Sequence, residues 1–80
     1  MHYVYFLESV GSPGQRYIGL TDDLKARLAA HNAGHSPHTS KFKPWRLVAC
    51  IAFDSRTKAA DSEQYLKARS GHAFALKRFW

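Results

Sequence analysis

The stretch RYIGLTDDLKARLAAHN, residues 16–32, passes from a strand pattern into a helix pattern within a few residues. Tyr17 and Ile18 favour extended backbone, and Gly19 breaks the run. Thr21 is an expected N-cap, and Asp22 and Asp23 place negative charge at the positive end of a helix dipole. Leu24 and Leu28 form an apolar stripe that ends near Asn32, with Gly34 as the expected C′ residue. Arg27 and His31, four residues apart, share one face at the margin of that stripe. By themselves they fit an arginine that lays its stem on apolar surface and a surface histidine. The alternative is a clamp for phosphate, because the guanidinium offers a planar fork of donors and stays charged.

Upstream, HYVYFLES supplies a first strand over about Tyr3 to Glu8, and VGSPGQ is a turn, so strands one and two form a hairpin. Tyr3 and Tyr5 point to one face of their strand. Downstream, HSPHTSKFKP is a polar, basic loop. WRLVACIAF is a nearly continuous apolar run, expected as a third strand buried on both faces or nearly so. Cys50 lies in this run and is expected to be a small buried hydrophobe. Asp54 or Ser55 caps a second helix reaching about Ser70, where Gly71 stops it. HAFALKRFW forms a short last helix, with Phe74 and Phe79 or Trp80 packing inward. The order β-β-α-β-α-α predicts an α/β fold with a three-stranded mixed sheet and the first strand central. Strands two and three would be parallel to one another, strand one antiparallel to both, and helices would cover the faces.

Eighty residues bound the chain to a single domain, residues 1–80, with a thin core. The net charge of +6 points to a polyanionic partner, since basic and aromatic residues interleave through the second half. One cysteine excludes an internal disulfide and fits a reducing compartment. No signal peptide is evident, and no apolar run approaches the ~20 residues of a membrane span. The expectation is a soluble, cytoplasmic protein.

Glu63 stands out on the second helix. The stripe Ala59, Glu63, Leu66 would bury a carboxylate, which is costly unless it is paired or binds a cation. Spacing equally allows a surface Glu63–Lys67 pair. A zinc site from His31, His35 and His38 has no thiolate and sits in a Gly/Ser/Pro loop. One arrangement joins the remaining outliers: a tyrosine to activate water, an arginine to hold phosphate charge, and a lone carboxylate for one divalent cation. That is a phosphodiester-hydrolysing site.

At these residues the chain resembles the GIY-YIG nuclease superfamily. YVY, Tyr3 to Tyr5, stands at the first motif, with Tyr3 where the family has glycine, and YIG, Tyr17 to Gly19, is the second. DDLKARLAAHN is similar to the helix carrying the family arginine and histidine, and DSEQYLKARSG to the helix carrying its glutamate. HTSKFKPWRLV and YLKARSGHAFALKRF look like a bacterial group of small stand-alone members. The resemblance implies an endonuclease that hydrolyses DNA phosphodiester bonds with a single divalent cation, Mg²⁺ or Mn²⁺. It implies Tyr5 as the water-activating base, Tyr17 orienting the nucleophile, and Arg27 on the scissile phosphate. His31 would assist Tyr5 or the phosphate, and Glu63 would bind the metal. Lys41, Lys43 and Arg46, with Lys77 as a further phosphate contact, are the expected nucleic-acid contacts. So small a chain has little room for a specificity domain. Structure-selective or weakly sequence-specific cleavage of branched, nicked or single-stranded DNA is expected, by a monomer or weak homodimer, in DNA repair or processing. The competing expectation is a nucleic-acid-binding module that keeps the fold without catalysis, in which Glu63 is structural.

Overall fold

A computed structural model describes all residues from Met1 to Trp80. The elements run β1 (His2–Ser9), β2 (Arg16–Thr21), α1 (Leu24–Asn32), a 3₁₀ turn (Ser40–Phe42), β3 (Trp45–Phe53), α2 (Arg56–Lys67) and α3 (Arg69–Arg78). The sheet order is β2-β1-β3, with β1 central as expected. Both hydrogen-bonded pairs are antiparallel. The parallel relation of β2 and β3 that made the expected sheet mixed therefore exists only across β1. No helix is long and apolar enough to cross a membrane.

β1 is the strand buried on both faces. Val4 and Phe6 enter one core with Ala59 and Leu66 of α2 and Ala75 of α3. Tyr5 and Leu7 enter the other with Trp45, against Leu24 and Leu28 of α1. Phe6 stacks on Phe79 at 4.8 Å and meets Trp80 edge-on at 5.3 Å, pairs worth about 0.5–1.5 kcal/mol beyond their burial. Phe79 and Trp80 thus pack inward, whereas Phe74 stays 44% exposed.

β3 departs from its expected environment. It is an edge strand, its exposure alternates only from Ala49 to Phe53, and Cys50 is exposed. The apolar run misled because a register shift falls between the pairs Phe6↔Ala49 and Leu7↔Leu47. One extra residue there, Val48, moves residues of one parity from one face to the other. Trp45 therefore joins the α1 core while Ala49, Ile51 and Phe53 join the α2/α3 core. A strand that serves two cores in succession reads as if it were buried on both sides throughout.

The helix boundaries also differ from expectation. Asp23 caps α1, its side chain accepting from the Ala26 N–H, while Thr21 bonds only to the Asp23 backbone. Gly34 has φ +80, the left-handed conformation expected just past a helix end. Ser55 caps α2. The chain breaks at Ala68, not at Gly71, which lies inside α3 against the backbone of Tyr65.

Candidate active site

The site is built where β1, β2 and α1 meet. Tyr5 lies opposite Gly19 across the hairpin, and its ring lies over that glycine. A Cβ at Gly19 would overlap the Tyr5 phenol, so the glycine is required for space rather than for its backbone angles. Leu7 lies opposite Tyr17, which places Tyr17 on the same face as Tyr5. The two rings are 6.1 Å apart, and Tyr17 meets the His31 ring edge-on at 5.0 Å.

From α1, Arg27 and His31 both reach the Tyr5 hydroxyl. Arg27 Nε donates to it at 3.2 Å, and His31 Nε2 shares a hydrogen bond with it at 3.0 Å. His31 is 1% exposed and is not the surface histidine that its spacing allowed. Its other nitrogen, Nδ1, bonds the Thr39 hydroxyl at 2.8 Å, so both ring nitrogens are engaged within the protein. The Thr39 carbonyl in turn accepts from the Trp45 indole at 2.8 Å. Asn32, at the end of α1, pairs with both the N–H and the carbonyl of Trp45, at 2.6 and 3.1 Å. The α1–β3 loop is thereby fixed to both of its flanking elements.

The electrostatics follow from this burial. Burial raises the Tyr5 phenol above its ordinary 10.0, and the Arg27 hydrogen bond opposes that rise. Burial and the Arg27 charge lower His31 below 6.5, which keeps the imidazole neutral near pH 7. Arg27 is raised further by its bond to Tyr5. Beside this network a cleft of about 270 Å³ is bordered by Arg27, His31, His35 and Ser36.

Glu63 lies on α2, and its charge adds weakly to the upward pull on Tyr5. Its carboxylate pairs with Lys67 Nζ at 3.1 Å, and the same Nζ lies 5.7 Å from the centre of the Tyr17 ring. The Glu63–Lys67 pair that the spacing allowed is therefore present, and through Lys67 it borders Tyr17. No three His, Cys, Asp or Glu side chains cluster anywhere in the fold. Glu63, paired with Lys67, could hold only a hard cation that keeps waters and takes further ligands from a phosphate.

The expected nucleic-acid contacts are not gathered with this network. Lys41 lies in the 3₁₀ turn and Lys43 just beyond it, its ammonium near Gly34. Arg46, at the start of β3, is paired with Glu8 at 2.7 Å, and Arg16 shares that carboxylate at 3.4 Å. Lys77 sits on α3, which covers the opposite face of the sheet from α1. Two members of the site escaped the sequence reading. Thr39 is one of several hydroxyls in a loop without periodicity, and nothing local marks it. Lys67 was visible only as the i,i+4 partner of Glu63.

The GIY-YIG catalytic domain family matches residues 1–76 of the chain. A UPF0213 protein of Lacticaseibacillus paracasei is 38% identical over 69 residues, covering 85% of this chain and 78% of its own. One from Halobacterium salinarum is 38% identical over 71 residues, covering 88% and 90%. The solution NMR structure of a UPF0213 protein from Bacillus halodurans superposes with a TM-score of 0.56 at 34% identity, covering 95% of this chain and 82% of that one.

Proposed function

The chain belongs to the GIY-YIG catalytic domain family, and from that membership we propose that residues 1–80 form one endonuclease unit that hydrolyses DNA phosphodiester bonds with one divalent cation. The observation that carries this reading is the Tyr5 hydroxyl held between Arg27 Nε and His31 Nε2. A binding module needs no buried phenol bonded to a neutral imidazole and a guanidinium.

In this reading the Tyr5–His31 pair acts as the base. A buried phenol is a poor base unless its proton can leave, and neutral His31 Nε2 is the acceptor at hydrogen-bond distance. Arg27 Nε stabilises the negative charge that builds on the Tyr5 oxygen as that oxygen passes its proton to His31 and gains another, and Thr39 fixes the imidazole orientation. The Tyr5 oxygen takes a proton from a water, its own proton passing to His31 Nε2, as that water attacks phosphorus and the P–O bond to the leaving sugar oxygen breaks. Arg27 also borders the cleft, where its guanidinium would bind the non-bridging oxygens as negative charge builds on them. Tyr17, beside both Tyr5 and His31, orients the attacking water. Glu63 would hold Mg²⁺ or Mn²⁺, which when bound neutralises phosphate and leaving-group charge. The +6 charge would hold the strand, with Lys41, Lys43, Arg46 and Lys77 as peripheral contacts and DNA repair or processing as the setting.

The test is cleavage of single-stranded, nicked, branched and duplex DNA by the purified protein with Mg²⁺ or Mn²⁺. Glu63→Gln is expected to lower cleavage at least about 10²-fold while folding and DNA affinity are retained. Wild-type cleavage by that variant would remove Glu63 from the site. Binding without cleavage of any substrate would favour the non-catalytic module.

A further inference from the structure

Tyr17 borders a second cleft, of about 300 Å³, at the open edge of β2. Its walls carry Arg16, Lys67 and His72 as basic groups and Tyr17 and Trp80 as aromatic ones; Arg16 pairs with Glu8 and Lys67 with Glu63, and neither carboxylate is part of the wall. The Arg16 guanidinium lies over the Trp80 ring, 5.0 Å from its centre, so a cation already sits on an aromatic face there. The Lys67 ammonium is placed between the Glu63 carboxylate and the Tyr17 ring. Cationic groups interleaved with flat rings match a nucleotide, whose base stacks on aromatic and guanidinium planes and whose phosphate meets the cations. Volume agrees as well, since small-ligand clefts begin near 300 Å³.

Position adds to composition. Tyr17 is a wall of this cleft and also touches the Tyr5–His31 pair, so an occupant would neighbour the phosphate held by Arg27. We propose that this cleft binds one unstacked nucleotide of the strand being cut, immediately beside the scissile phosphate. The proposal rests on the nuclease reading and narrows its substrate class. A base inside a duplex must leave its stack to enter, at a cost of a few kcal/mol, whereas an unpaired base enters with little cost. The substrate is therefore a single strand or an unpaired segment of DNA.

Two measurements test this. The chain has two tryptophans, and the buried Trp45 indole is held by Thr39, so it serves as an internal control. In NMR titrations, thymidine 5′-monophosphate is expected to shift the Trp80 indole N–H and leave that of Trp45 in place. Inorganic phosphate should do so at least about tenfold more weakly, because it cannot stack. Arg16→Gln and His72→Leu should each weaken the nucleotide response. A silent Trp80, or equal responses to nucleotide and phosphate, overturns the proposal. In cleavage assays the wild type should cut a single strand at least about tenfold faster than the same sequence in duplex. Arg16→Gln and His72→Leu should bring that ratio toward one. If cleavage occurs with no strand preference, the subsite fails and the nuclease stands. If nothing is cut, the nuclease reading fails, and the Trp80 titration still decides whether the cleft takes a nucleotide.

Discussion

Arg27 makes the sharpest test at the scale of single residues. It is an exposed residue, yet its Nε donates to a phenol that is 1% exposed. Lysine at this position retains the charge and loses both the inner N–H and the planar fork. If Arg27 stabilises charge that develops during hydrolysis, Arg27→Lys should slow single-turnover cleavage about 10²–10³-fold, or about 2.7–4 kcal/mol. Its effect on DNA affinity should stay under about tenfold, as one phosphate contact among many. Equal, small losses in both quantities would make Arg27 an electrostatic anchor only. Arg27 and His31 could be read as a pair because the helix period places them on one face, and Tyr5 and Tyr17 because they stand in the ordered motifs of the family that the chain resembles. The depth of His31 could not be read, because its burial depends on Thr39, a residue of an irregular loop that is held by Trp45.

Among the elements, the joint between α2 and α3 shows how a correct residue was assigned the wrong task. Gly71 was expected to stop a helix, since glycine commonly follows a helix end. It lies instead within α3, where a Cβ would overlap the Tyr65 carbonyl and crowd Leu66. Glycine inside a helix costs about 1 kcal/mol relative to alanine, and the close approach of the two helices offsets that loss. Gly71→Ala should therefore destabilise by about 1–3 kcal/mol through overpacking, in spite of its better helix propensity. At about 4–8 °C per kcal/mol for a domain this small, thermal unfolding would resolve it. An unchanged or raised Tm would show that the joint is looser than the geometry requires. β3 gives the complementary case. Its apolar composition was legible, but neither the extra residue at Val48 nor the edge position leaves a mark in a run of similar side chains.

For the molecule as a whole, charge and titration set the expected behaviour in solution. The +6 charge should make DNA affinity fall steeply with salt through counterion release, and a flat dependence in titrations at several salt concentrations would contradict it. Stability should fall at both ends of the pH scale. His31 has a folded pKa below 6.5, so as pH drops through 6.5 the unfolded state takes up protons first and stability declines. That decline ends once pH passes below the folded value. Tyr5, raised above 10.0, destabilises the fold as pH climbs past 10 for the converse reason. In Glu8, burial pulls the pKa upward and the Arg46 and Arg16 bonds outweigh it, so acid loss from this group begins only below about 4.5. Urea unfolding between pH 7.5 and 5.5 isolates the histidine, and His31→Gln should flatten the slope there; an unchanged slope would assign it elsewhere. By itself the sequence determined the element order, the central place of β1, the family and the candidate side chains. Each of these rests on local periodicity, on chain connectivity or on ordered motifs. Only the tertiary structure decided which strand is buried on both faces, that His31 is sealed between Tyr5 and Thr39, and that Lys67 stands between Glu63 and Tyr17. Those facts depend on contacts between segments distant in the chain, and a pattern read along one segment carries no information about what packs against it.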